Sequence, residues 1–216
     1  MLRQGILIWG ASGHALVVAD TARLIGIEVV GFIDNVNPDH HGKPFAGAHI
    51  LGGREVLDRP GLQSQTTLLI AIGDCKTRMA LANEVVERGF RLATVVHPSA
   101  IIARDVSVGS GSFVAAGAVI NPGVHIGSNA IINTGACIDH ECRIAEGVHI
   151  GPGAHLGGRV RVECGAWIGI GAAIRDHVSI GAAAMVGMGA VVVKDVAPAT
   201  TVIGIPARVL SAAARD

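Results

Sequence analysis

VHIGSNAIINTGACIDHECRIAEGVHIGPGAHL, residues 124–156, returns a branched aliphatic every six residues, at Ile126, Ile132, Ile138, Ile144, Ile150 and Leu156. The register extends back through Ile120, Val114, Val108 and Ile102. It extends forward through Val162, Ile168, Ile174, Ile180, Val186 and Val192. Two residues before each aliphatic stands a small or β-branched residue, such as Ala130, Ala136, Cys142 or Val148. A helix of 3.6 residues per turn cannot hold a six-residue period on one face, and an ordinary strand alternates every two residues over longer runs. A parallel β-helix satisfies the period: each hexad is a short flat strand plus a turn, three hexads close a triangular coil, and each inward aliphatic stacks on its equivalent eighteen residues away. Glycines at Gly109, Gly127, Gly151, Gly169, Gly181 and Gly187 are expected at corners that need a tight or left-handed backbone.

The composition fits such a prism. The 216 residues include 30 glycines, four phenylalanines, two tryptophans and no tyrosine, so stacked aliphatics of similar size must build the core. Half the residues are hydrophobic and 16% are charged, which excludes a disordered chain. A net charge of zero without runs of Lys or Arg argues against nucleic-acid binding, because no cationic surplus releases counterions from phosphates. No apolar run approaches eighteen residues, so a soluble cytoplasmic protein is expected, with no membrane partner. Cys75, Cys137, Cys142 and Cys164 lack CxxC spacing and read as buried thiols in a reducing compartment.

Residues 1–96 follow a different pattern. GILIW (5–9) is a strand that runs into the helical GASGHALVVADTARLIG (10–26), and EVVGFID (28–34) is a second strand. TTLLIAIG (66–73) is a third, followed by the helix DCKTRMALANEVVERG (74–89) and a short strand LATVV (92–96). Strands alternating with helices imply a small parallel sheet covered on both faces. His97 and Pro98 mark the handover to the solenoid of residues 97–216.

Two stretches carry chemistry. GASGHA (10–15) sets glycines and Ser12 where a strand turns into a helix, a place for an anion or a mere tight turn. Asp34 at the end of the second strand can accept from a ribose or base donor, and Gly73 with Asp74 closes the third strand at the same edge. In NTGACIDHEC (133–142), His140 follows the inward Ile138 by two residues, which puts it in a surface turn between Asp139 and Glu141. A histidine beside a carboxylate is a general-base arrangement; the other reading is a solvated polar turn. His149 and His155 are further turn candidates, with metal binding as the rival use of such a cluster.

GASGHALVVAD, VVGFIDN, LIAIGD, VVHPSA, NTGACIDHEC, VHIGPGAHLGG and IGIPARVL, in this order from about residue 5 to residue 210, resemble the bacterial nucleotide-amino-sugar N-acetyltransferases and the related sialic-acid-type sugar O-acetyltransferases. The resemblance implies a Rossmann-like nucleotide-sugar domain, a left-handed β-helix, a homotrimer, and acetyl-CoA between adjacent subunits. It implies His140 as the base and Glu141 as the residue that raises its basicity, with Asn133 and Asp139 bordering the site. His149 resembles the histidine near the acetyl thioester, with Gly158 in the following coil. Ser12, Gly13, Asp34, Asn35 and Gly73 look like nucleotide-sugar contacts. Asp74 stands where these enzymes often carry asparagine, which leaves UDP against GDP open. The implied chemistry is direct acyl transfer from acetyl-CoA to the amine of a nucleotide-linked sugar. In it, turn N–H groups or His149 hold the oxyanion.

Three alternatives stand beside this. A sugar O-acetyltransferase would use the same base. A zinc site of the carbonic-anhydrase-like solenoids uses HxxxxH spacing, and none of the ten histidines lies five residues from another, so no metal is expected. A non-catalytic scaffold would leave the N-terminal crevice without purpose. Outward Ala and Val positions around 183–193 favour a cyclic trimer. Arg143 and Arg161, eighteen apart, read as a solvated ladder. Trp167, one residue before the inward Ile168, should stack outside the prism beside His149.

Overall fold

The computed structural model describes residues 5–210; the outermost residues of the two expected segments, 1–4 and 211–216, lie outside the described residues. The N-terminal part contains β1 (Gly5–Trp9), α1 (Gly13–Leu24), β2 (Val29–Ile33), β3 (Pro44–Phe45), β4 (Ala48–Gly52), α2 (Leu62–Gln65), β5 (Thr66–Ile70) and α3 (Cys75–Glu87). The sheet order is β3-β4-β2-β1-β5. β1 pairs in parallel with both β2 and β5, and β4 runs parallel to β2. β3 is antiparallel to β4, a hairpin the sequence did not announce. Its turn uses Ala46 and Gly47 at positive φ rather than an Asn-Gly or Asp-Gly pair.

Alternate residues of β1 face opposite sides of the sheet. Ile6 and Ile8 cluster with Phe32 and with Ala15, Val18, Ala19 and Ala22 of α1. Leu7 and Trp9 cluster with Ile33, Leu68 and Ile70 and with Leu81, Ala82 and Val85 of α3. Both faces are therefore covered, as the alternating pattern required.

Beyond residue 94 the strands stack into three parallel sheets. The first face begins with Val95–Val96 and continues through Phe113–Val114, Ile131–Ile132, His149–Ile150, Trp167–Ile168, Met185–Val186 and Thr201–Ile203. The second includes Val119–Ile120, Cys137–Ile138 and His155–Leu156; the third includes His125–Ile126, Arg143–Ile144 and Arg161–Val162. The residues read as a strand LATVV thus divide. Leu92 makes only a bridge to Leu68, while Val95–Val96 pairs with Phe113–Val114 of the solenoid. The hexad aliphatics fill the prism from Val114 to Val192, and Ile102 and Val108 are partly buried at its open beginning. Val95, Phe113, Ala115 and Ile131 face away from that core and join the α1 cluster, so sheet and solenoid share one apolar interior.

The glycine expectation needs correction. Left-handed corners belong to another set, spaced by eighteen: Gly117, Gly135, Gly153, Gly171 and Gly189 between the first and second faces, for example. Gly109, Gly127, Gly151, Gly169, Gly181 and Gly187 are not among the positive-φ residues. They serve close approach of coils, since a Cβ on Gly151 would stand 2.6 Å from the carbonyl oxygen of Ile168, and one on Gly169 2.6 Å from the amide of Met188. The thiols are corrected too: Cys75 and Cys142 are buried, but Cys137 is half-buried and Cys164 exposed. Among the described residues no helix is long and apolar enough to cross a membrane.

Candidate functional site

Three groupings of polar side chains emerge. The first is a crevice of about 670 Å³ at the carboxyl ends of β1, β2 and β5. Gly10, Ala11 and Ser12 line it from the turn after β1, Asp34, Asn35 and Asn37 from the loop after β2, and Gly73 and Thr77 from the start of α3. Ser12 occupies the N-cap of α1 with its hydroxyl free of capping duty, while Gly13 opens the helix in uncrowded space outside the crevice lining. Asp34 is almost buried; its Oδ1 accepts from the Val36 amide at 2.8 Å, and Oδ2 stands 3.5 Å from His40 Nδ1. His40 and Arg54 also line the crevice and were missed by sequence reading, as neither belongs to a motif.

Asp74 does not line this crevice. Its carboxylate caps α3 by accepting from the Thr77 amide at 2.8 Å, and those hydrogen bonds hold its pKa below the usual carboxylate value. The aspartate is thus accounted for by the helix.

The second grouping surrounds His149 on the first face. His149 and His155 sit on two-residue strands, not in turns as expected, because each precedes an inward aliphatic inside its hexad. His149 is 9% exposed, and burial, with a contribution from Arg78, lowers its pKa to about 4. Its Nδ1 lies 3.2 Å from the Gly73 carbonyl oxygen, and its Nε2 3.2 Å from Asn133 Nδ2. Asn133 Oδ1 is already engaged by the Thr134 amide at 2.8 Å, so its NH₂ faces the imidazole. The Trp167 indole N–H, a donor only, also reaches Nδ1 at 3.1 Å, so Nδ1 faces a donor and an acceptor at once and these contacts assign no single tautomer. Trp167, in register with His149 on the next coil, stands edge-on to it at 5.9 Å, outside the prism as expected. His14 sits close by, edge-on to Phe113, with its pKa also near 4 chiefly from burial.

The third grouping is the turn between Cys137–Ile138 and Arg143–Ile144, which carries His140. Half of the His140 side chain is exposed, and its Nδ1 lies 3.1 Å from Glu141 Oε2. The same oxygen accepts from Arg159 Nε at 2.9 Å. These two hydrogen bonds hold Glu141 below the ordinary carboxylate pKa, so it stays ionised beside the imidazole. Asp139 turns inward along the corner: its Oδ1 accepts from the His140 amide at 2.7 Å and from Asn121 Nδ2 at 2.8 Å. It anchors the loop. Gly158, one coil on, lies beneath the ring, for a Cβ there would stand 2.6 Å from His140 Nε2. Gly158 therefore belongs with His140 and not with His149. The two histidines stand on different sides of the triangular section, with Asn133 on the His149 side and Asp139 and Gly158 on the His140 side.

Arg143 and Arg161 do stack, in register on the third face. With Arg159, His177 and Ser179 they line a groove of about 350 Å³ beside Glu141.

A short α/β domain with an open crevice, joined to a hexapeptide solenoid with a histidine–carboxylate turn, can be compared with known proteins. Residues 5–85 match the PglD N-terminal domain, and residues 71–157 match the GlmU-like C-terminal hexapeptide. The chain is 37% identical to a perosamine N-acetyltransferase from Caulobacter crescentus, solved as a histidine mutant with CoA and GDP-perosamine. The match has a TM-score of 0.92 and covers 96% of this chain and 97% of that one. The chain belongs to the hexapeptide-repeat acetyltransferases of nucleotide amino sugars. The acetyltransferase domain of PglB from Neisseria gonorrhoeae, in complex with acetyl coenzyme A, is 32% identical with a TM-score of 0.90, covering 96% and 99% of the two chains. WeeI from Acinetobacter baumannii is 29% identical with a TM-score of 0.82, over 96% and 100%.

In this member of the acetyltransferase family, one buried residue went unread in the sequence. Arg78 of α3 is 1% exposed and reaches from the crevice wall into the solenoid. Its signal was present: residues 75, 78, 82 and 85 form the apolar stripe of α3, and an arginine on such a stripe is buried.

Proposed function

We propose that the chain transfers the acetyl group of acetyl-CoA to the amine of a nucleotide-linked amino sugar, with His140 as general base. The observation that carries this reading is the His140–Glu141–Gly158 corner, an imidazole oriented by an ionised carboxylate and laid against a bare backbone. With Nδ1–H donated to Glu141, the lone pair on Nε2 faces outward over Gly158. The neutral amine attacks the thioester carbonyl carbon while Nε2 takes the amine proton; the tetrahedral oxyanion then collapses, expels CoA as thiolate, and the imidazolium returns the proton to sulfur.

For the oxyanion, a turn N–H serves better than His149. Both ring nitrogens of His149 are occupied within the chain, Nδ1 by Gly73 and Trp167 and Nε2 by Asn133, whereas the amide of Gly158, the residue beneath the His140 ring, has no hydrogen-bond acceptor among the described residues. An acyl-cysteine route is disfavoured, since burial pushes the Cys142 thiol up to about 11.

The crevice of residues 1–96 would hold the nucleotide. Ser12 and the free N–H groups of α1, the helix that Gly13 opens behind the lining, suit its phosphates, Asp34 and Asn35 its ribose or base, and Gly73 the wall nearest the sugar. His149 and Asn133 would stand near the acetyl-CoA thioester. The crevice and His140 lie on different sides of one chain, so the reading includes a homotrimer in which a neighbour completes the site. The exposed Ile170, Met188 and Ile205 offer apolar contact for it. A left-handed coil and a cytoplasmic location, where acetyl-CoA is available, complete the reading.

The test is release of CoA thiol with UDP- and GDP-linked amino sugars, set against free sialic acids. Turnover restricted to the nucleotide amines supports the reading, and acetylation of sialic acid hydroxyls alone overturns it. A monomer by light scattering at assay concentration would break the between-subunit arrangement.

A further inference from the structure

A buried guanidinium ordinarily finds a carboxylate, because leaving the charge unpaired in a poorly polarisable interior is costly. Arg78 has none among its hydrogen-bond partners. Nη1 donates to the carbonyls of Ile72 at 2.8 Å and Gly73 at 2.9 Å, Nε to Asn129 at 2.8 Å, and Nη2 to Gly147 at 2.6 Å and more weakly to Val148 at 3.4 Å. These carbonyls come from three places. Ile72 and Gly73 form the inner wall of the crevice, while Asn129 and Gly147 occupy one corner of the solenoid in successive coils. The turn at 147–148 leads directly into His149, and the Gly73 oxygen that Arg78 grips is the one facing His149 Nδ1.

Gly73 is a partition one residue thick. Its outer side lines the crevice, and a Cβ on it would stand 3.8 Å from the His149 ring. Docking alone does not call for a cation here. Met79, the next residue of α3, already wedges its thioether over Gly147 and Gly165 by apolar contact. What the planar fork adds is direction, since five donors in a fixed plane define where each carbonyl stands.

We propose that Arg78 is a positioning residue for the transfer reaction, gripping the crevice wall and the turn before His149 with one guanidinium so that the nucleotide-linked sugar and the acetyl-bearing solenoid keep one fixed registry. This rests on the acetyl transfer proposed above. The charge also supports it from the side: His14 and His149 both lie within its influence and are held neutral, burial being the larger cause.

The test sets Arg78→Lys against Met79→Ala in the full chain. Arg78→Lys should lower kcat by about 10- to 100-fold while both KM values stay within about threefold, the mark of lost alignment rather than lost binding. Its loss should be less than additive with that of His149→Gln, because both act through Gly73. Met79→Ala, which loosens the same interface without touching the carbonyls, should lower the melting temperature and keep kcat. Full turnover in Arg78→Lys, or an equal loss of kcat in Met79→Ala, overturns the proposal. If Arg78→Lys does not accumulate as folded protein, Arg78→Gln takes its place in the same assay: kcat lost with KM kept supports the role, and unchanged kcat overturns it. A wild-type chain that turns over no nucleotide amino sugar strikes the proposed function and this role together, whereas an active wild type with an unimpaired variant strikes this role alone.

Discussion

Two corners of the same prism solve the same backbone problem differently. Between the first and second faces, the left-handed position of every coil from Gly117 to Gly189 is glycine, five in succession with φ between 61° and 68°. Between the second and third faces, the equivalent series is Gly123, Glu141, Arg159 and His177, with φ between 58° and 75°. A left-handed L-residue costs about 1–2 kcal/mol that glycine does not. Three consecutive coils carry that cost at one corner, and there Glu141 and Arg159 bond each other and His140. The glycine corner is built to turn the chain. The other presents side chains at a turn and bears the left-handed cost to do so.

The difference can be broken in order of effect. The largest expected loss is at the charged corner: His140→Ala should lower kcat by about 100-fold or more with KM nearly unchanged, read by steady-state kinetics. Gly158→Ala is next, with an expected loss in kcat of about 10- to 100-fold, because its methyl would displace the imidazole from its resting place. Near-normal turnover in either variant would make the charged corner ornamental. Glu141→Gly should separate the two properties of the corner: stability rises by about 1 kcal/mol as left-handed strain is relieved, while kcat falls about tenfold as the imidazole loses its partner. The reciprocal change at the other corner, Gly117→Ala, has room for its methyl, 3.9 Å from Gly135, so its cost is purely conformational. A stability loss of about 1 kcal/mol with unaltered turnover is expected, measured by denaturant midpoint and the same assay.

Much of this was legible beforehand, for physical reasons. Stacked coils force identical side-chain roles every eighteen residues, so the inward ladder from Val114 to Val192 could be read from sequence alone, as could the outward, paired positions of His149 and Trp167. The hexad also located His140 in a turn. What it did not reveal was which glycines are left-handed, since Gly151 and Gly153 look alike in sequence and differ only in whether φ or coil spacing demands them. Nor could a period within the solenoid report on contacts made across to α3. Arg78 and His14 gain their meaning from carbonyls and rings more than fifty residues away, and no local pattern specifies such partners.

The solenoid's two ends differ in how they finish. Stacked strands expose unpaired N–H and C=O groups at the first and last coil, each an invitation to add another chain. At the beginning, the outward Val95 and Phe113 pack against α1 and the sheet, so the α/β domain covers the flank of the first face while Ile101 stays exposed at the open end. At the other end, the chain reverses and Arg208–Val209 pairs antiparallel with Thr201–Ile203, out of step with the parallel rule of every coil before it. A strand running the wrong way cannot template a further parallel coil, so on the first face growth of the stack into a fibre is blocked by a change of direction.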